Sequence, residues 1–389
     1  MEAENSTPPH GIPAADPDAG RPLFNASSQP PEPWEKRAGL WVFWGDNGLR
    51  TGWSVLLAII VFEGISGVAG SAFSHFGLIS ATNDFTASQA LFLELISFLA
   101  ILGAGAVVAL MERRRGNLLA FNFLDARWLR HFLGGLLAGL VALSVLIGSL
   151  NFGGWLHFGP TALSGASVLK YASLWGAAFL VVGCVEEGIF RGYLQFTLTR
   201  GINFWWALGI IILTCGYAVW QGNDDGNSVW GVYALAAMGL IPCLRLQWKK
   251  TKNSSFWQAA WVASTLFGLI HTGNNGESWL GVFAAGSIGF VFAVSVRVTG
   301  SAWWAIGCHA AWDWSETFLY GAADSGIRAN GHLLTTLPAG SPFWSGGSDG
   351  PEGSVLVLAV ILLLLFGLLA VYGLKRRPAS AHAAEQLAG

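Results

Sequence analysis

Charge is what this sequence has least of. Only 11% of its 389 residues are Asp, Glu, Lys or Arg, whereas a soluble domain has roughly 25%. A chain so poor in charge cannot give a domain of this size a hydrated surface, and the soluble globular class is excluded. The formal net charge of −2 offers no basic excess with which to bind nucleic acid. Cysteine is scarce too. Cys184, Cys215, Cys243 and Cys308 all fall in apolar stretches with no CxxC pair, so neither a disulfide framework nor a zinc cluster is indicated. Buried thiols of this kind act as small apolar residues. An HExxH motif is missing, as is any internal repeat of the sort many transporters carry. The first 33 residues, rich in Pro, Ala, Ser and Asp, lack the basic segment followed by an apolar run that marks a signal peptide.

What is abundant is apolar: 53% hydrophobic residues, 20 Trp and 51 Gly, with a mean hydropathy of +0.50. Glycine is frequent in membrane helices and Trp gathers at membrane interfaces. A span needs roughly 20 mostly apolar residues, and that rule picks out segments near 52–74, 88–111, 132–153, 168–199, 204–221, 229–244, 256–272, 279–297, 301–320 and 354–374. The expected fold is therefore all-α, a polytopic transmembrane helix bundle of eight to ten spans. With the N-terminus inside, every Lys and Arg falls on the cytoplasmic side except Lys170, Arg328 and the intramembrane Arg191. The opposite loops carry Asp84, Asp224, Asp225, Glu277, Asp324, Asp349 and Glu352. This bias places both termini in the cytoplasm. The chain divides into a disordered and interfacial tail (1–50), N-terminal spans (51–165), a central bundle (166–320), an extracytoplasmic loop (321–353) that reads as a flexible lid or connector, a last span (354–374) and a cytoplasmic tail (375–389). A surface helix is expected over 117–131.

Ionisable residues at bilayer depth are expensive and mark function. The fourth segment carries Glu186 and Glu187, with Arg191 one turn later. Glu187 and Arg191 are i, i+4 and can pair on one face, while Glu186 is turned about 100° away. One acid can thus be held ionised by the guanidinium while the other faces a cavity. His271 closes its own apolar segment, four residues after Phe267, and His309 stands four residues before Asp313. An Asp so placed can orient an imidazole. Glu63 and Glu94, in the first two spans, read as contacts with polar groups inside the bundle.

The ordered set Glu186-Glu187…Arg191, Phe267…His271 and His309…Asp313 resembles the CAAX protease and bacteriocin-processing (CPBP, Abi) family, with its EExxxR, FxxxH and HxxxN/D motifs on separate membrane helices. The resemblance covers roughly 165–320. It implies an intramembrane endopeptidase acting on a membrane-associated peptide or protein in the lipid bilayer of a bacterial cytoplasmic membrane, without nucleic acid and without a cofactor. Glu186 would be the general base and His271 would polarise the same water. His309 would stabilise the oxyanion with Asp313, and Glu187, Arg191 and Phe267 would support them. Access would be from the cytoplasmic side or through a lateral gap between helices. Two departures stand out. Asp313 occupies a position where characterised CAAX proteases have Asn, and the spacing from Glu186 to His271 is long, as though the hairpin 204–244 were inserted. Three alternatives remain at this point: a zinc site of Glu186, His271 and His309 with an open water position, a catalytically silent scaffold or immunity-type regulator of the same family, and a transporter in which Glu63, Glu94, Glu186 and Glu187 relay protons.

Overall fold

The computed structural model describes residues 42–45, 48–76, 86–112, 127–221, 228–249, 253–274 and 276–373. The tail before residue 42, the acids Asp84, Asp224 and Asp225, the basic residues 113–115, Lys250, Lys252 and the tail after 373 lie outside the described residues.

Two short strands, β1 (Trp44–Gly45) and β2 (Gly48–Leu49), lead into α1 (Thr51–His75). Then come α2 (Ala87–Glu112) and α3 (Trp128–Phe152). The surface helix expected over 117–131 lies outside the described residues up to 126, and from Trp128 the chain is already α3. β3 (Leu156–Phe158) precedes α4 (Ala166–Glu187). The fourth segment is continuous but not uniform: α4 passes through a π-helical turn (Gly188–Leu194) into α5 (Gln195–Gly201). Gly188 and Gly192 lie in that turn, where the lack of a side chain eases departure from α geometry. α6 (Phe204–Gln221), α7 (Ser228–Lys249), α8 (Ser254–Ile270), α9 (Trp279–Thr299) and α10 (Trp303–Trp314) follow. A second π turn (Ser315–Tyr320) extends α10. After β4 (Thr336–Pro338) and the single turn α11 (Pro342–Ser345), α12 (Leu356–Tyr372) closes the described chain.

The protein is an all-α, multi-pass membrane protein. Among the described residues, seven helices are long and apolar enough to cross a bilayer. The other three expected segments are shorter: α8 and α12 have 17 residues each, and α10 has 12 before its π turn. Lipid tails give no hydrophobic drive for helices to associate, so close backbone packing has to supply it. α3 and α10 show how. A Cβ at Gly135 would fall on the Trp304 carbonyl oxygen, one at Gly139 on that of Cys308, and one at Gly307 on that of Phe132. These glycines let the two backbones touch, and Leu143, Leu146 and Ile147 of α3 are buried in the same core as Trp304 and Cys308 of α10.

Residues 321–353 are built rather than structureless. β4 pairs antiparallel with β3, and Arg328 Nη2 donates to the Thr336 carbonyl. Asp349 Oδ2 accepts from the backbone N–H and the hydroxyl of Ser278, at 3.1 and 2.6 Å, so the loop is latched to the start of α9. Burial, reinforced by the charges of Asp349 and Glu352, pushes the neighbouring Glu277 carboxyl up to about 9. It therefore stands protonated beside Asp349 at neutral pH.

Gly139→Leu should force α10 away from α3 and lower stability by about 1–3 kcal/mol. The melting temperature in lipid should fall, while Gly148→Leu, on the same helix but facing open space, should leave it unchanged.

Candidate active site

The ion pair comes first, because everything polar in the centre of the bundle leans on it. Arg191 Nε lies 3.2 Å from Glu187 Oε2, and its Nη1 donates to Oε1 at 3.3 Å. Neither side chain is exposed at all. The guanidinium stacks over the Phe267 ring at 4.2 Å, with Phe292 at 5.4 Å and Phe190 at 5.6 Å. Such faces attract a cation, most strongly when both partners are desolvated. Gly289 of α9 leaves the space: a Cβ there would lie 2.6 Å from Arg191 Nη2.

Glu187 then reaches across to α10. Its Oε1 accepts from His309 Nδ1 at 3.0 Å. The other ring nitrogen, Nε2, lies 3.4 Å from Asp313 Oδ2 and 3.9 Å from Glu186 Oε2. The expected i, i+4 contact of His309 with Asp313 is present, but the residue at hydrogen-bond distance from Nδ1 is Glu187, 122 positions away in the chain. The imidazole also stacks on Phe292, with ring centroids 5.8 Å apart.

The two adjacent glutamates separate as the helical rotation predicts. Glu187 is sealed, while 29% of the Glu186 side chain is exposed and its Oε2 has no hydrogen-bond partner. His271 caps α8. Its Nδ1 lies 2.7 Å from the Phe267 carbonyl oxygen, and a carbonyl can only accept. Nδ1 therefore carries the proton, and in the neutral ring Nε2 keeps its lone pair.

Glu186, His271, His309 and Asp313 all line one cavity of about 340 Å³. Phe267 contributes to its wall, whereas Glu187 and Arg191 sit behind it. Glu94 of α2 is on the same wall, facing the site and not merely the bundle interior as the sequence suggested. Asn274, Asp324 and Glu352 line its loop end. In the sequence these three are only loop residues; Asn274 is placed by the turn after α8, and Asp324 and Glu352 by the folding of 321–353. Glu63 lines a separate, mainly apolar cavity of about 900 Å³ between α1, α2 and α6, and Ile270 is the residue common to both walls.

In comparison with known proteins, residues 168–253 and 243–315 match the family described as type II CAAX prenyl endopeptidase, Rce1-like. Over these residues the chain is similar to that family. All seven motif residues, from Glu186 to Asp313, fall within the matched stretches. No curated protein and no solved structure gives a match.

Arg191→Met should leave a buried carboxylate uncompensated, at a cost of about 3–5 kcal/mol. The drop in melting temperature should be partly recovered when Glu187→Gln is added, because the orphaned charge is then gone.

Proposed function

We propose that this protein is an intramembrane endopeptidase, acting on a membrane-associated peptide or protein through a water held between Glu186 and His271. The supporting observation is that Glu186, His271, His309 and Asp313, from three different helices, converge on one cavity. Glu186 brings a carboxylate oxygen with no hydrogen-bond partner and His271 a basic nitrogen. Either can accept the proton as the water attacks the scissile carbonyl. Attack creates an oxyanion, which donors fixed in a water-poor cavity stabilise strongly. His309 supplies such a donor only as an imidazolium, since Nδ1–H is already committed to Glu187. Asp313 faces Nε2, the nitrogen open to the cavity. As a carboxylate it orients that N–H, and only in its protonated form can it donate to the oxyanion itself. The proton taken up by the Glu186–His271 pair passes to the leaving amine, which balances the hydrolysis.

The substrate route follows from the loop end of the cavity. With both termini inside, the α8–α9 turn and residues 321–353 lie outside, and it is these that border the site. Access from the cytoplasm and the orientation read from the basic residues therefore exclude one another. We favour the orientation, in a bacterial cytoplasmic membrane, with the peptide entering from the outer end or laterally.

Purified protein in lipid should cleave a membrane-presented peptide library. Glu186→Gln and His271→Asn should each lower the rate by about 10²–10⁴-fold, and a chelator selective for zinc over calcium should have no effect. Loss with chelator would move the chemistry to a metal held by Glu186, His271 and His309. A folded wild type that cleaves nothing in the library would favour a silent scaffold instead.

The orientation has its own check. With the four cysteines replaced by Ala, Asn274→Cys should react with a membrane-impermeant maleimide in intact cells. Labelling only after permeabilisation would mean that the cavity faces the cytoplasm.

A further inference from the structure

Beyond the motif residues, a second polar centre lies at the loop end of the cavity. Glu316, in the π turn after α10, meets Asp324 and Glu352 so closely that one carboxylate oxygen from each lies within 4.8 Å of the others. None of the three falls within the stretches matched by the family.

Two of these acids are oriented by hydrogen bonds from the same helical stretch that carries the third. Thr317 Oγ1 donates to Asp324 Oδ2 at 2.9 Å, and Trp312 Nε1 donates to Glu352 Oε1 at 2.7 Å. Glu316 differs. Its side chain is fully buried, and neither carboxylate oxygen has a hydrogen-bond partner. A buried carboxylate without a donor is strongly unfavourable. Protonating it would remove the charge of that carboxyl alone and would leave the other two carboxylates of the cluster close together. A cation among the three carboxylates would satisfy all of them at once.

We propose that Glu316, Asp324 and Glu352 form a calcium-binding site that fastens the folded loop 321–353 to the end of α10. The donors are all oxygen, with no imidazole or thiolate, which selects a hard cation. Calcium accepts six to eight oxygens at about 2.3–2.6 Å in flexible geometry, a reach that suits three points so spaced, with water or backbone oxygens completing the shell. Magnesium sheds its waters reluctantly and is seldom held by protein groups alone, which disfavours it around a carboxylate as buried as Glu316. The site is separate from Glu186, His271 and His309, and it does not depend on the peptidase reading. It does border the same cavity through Asp324 and Glu352, so the ion would also fix part of the wall that the substrate meets.

The test uses the full chain in lipid nanodiscs with terbium as the probe, because Trp312, bonded to Glu352, is placed to sensitise a bound lanthanide. Saturable terbium emission on tryptophan excitation, displaced by calcium, is expected. Calcium should also raise the melting temperature by roughly 3 °C or more at saturation. Glu316→Gln should abolish both responses, yet in chelator it should melt no lower than wild type, since it removes a buried charge. Asp324→Asn serves as the second variant and should likewise lose the emission. Glu186→Gln should keep both responses, which separates this site from a catalytic metal. Folded wild type without a calcium response up to millimolar levels, a response to magnesium alone, or responses that survive in Glu316→Gln would each overturn the proposal.

Discussion

The Glu187 carboxylate is the constraint on which the centre of this protein depends. It has two oxygens and serves two partners, Arg191 on its own helix and His309 on α10. Arg191 is enclosed by aromatic rings from the π turn, α8 and α9, and by the absence of a side chain at Gly289. One buried charge set thus ties four helices together. In lipid, where apolar side chains gain nothing from meeting one another rather than acyl chains, such a set specifies which helices are neighbours and at what height. Gly183 of α4, where a Cβ would lie 3.0 Å from the Ile306 carbonyl oxygen, lets α10 come close enough for His309 to be reached, and the glycine seam holds α10 against α3.

The site is accordingly divided. Behind the cavity is a sealed half, Arg191, Glu187 and the Nδ1 edge of His309, in which each group depends on the next. In front is an open half: Glu186, the free edges of His271 and His309, Asp313 and Glu94. Adjacent residues in the chain, Glu186 and Glu187, belong to different halves because successive helical residues point in different directions. Concentrating charge in the sealed half lets the open half keep side chains with unfilled hydrogen-bonding capacity, which is what chemistry on a bound peptide requires.

Much of this was legible from spacing alone. The apolar segments, the i, i+4 pairing of Glu187 with Arg191 and the divergence of the two glutamates follow from helical geometry and recur in the structure. What local spacing could not supply was partnership across the fold. His309 was paired with Asp313 because they are one turn apart, yet its Nδ1 is taken by Glu187 from another helix. Residues 321–353 have the Gly, Ser and Pro content of a flexible connector, but the β3–β4 pairing and the buried Asp349, held by Ser278, make them a structured cover over the cavity. Glu94 was visible as a mid-span acid, and only the packing of α2 against α4 shows which space it faces. Neither π turn left a mark in the hydrophobic pattern, which records burial and not the hydrogen-bond register of the backbone.

The turn from Gly188 to Leu194 has a consequence of its own. A π turn winds more residues into each revolution than an α-helix does, so it changes the phase of everything downstream. Before it, α4 packs against α2 and α10; after it, α5 packs against α8 and α1. The long span is in effect two rods on one backbone, each keyed to a different set of neighbours. A helical wheel drawn straight through all 36 residues would be correct for one rod and rotated for the other.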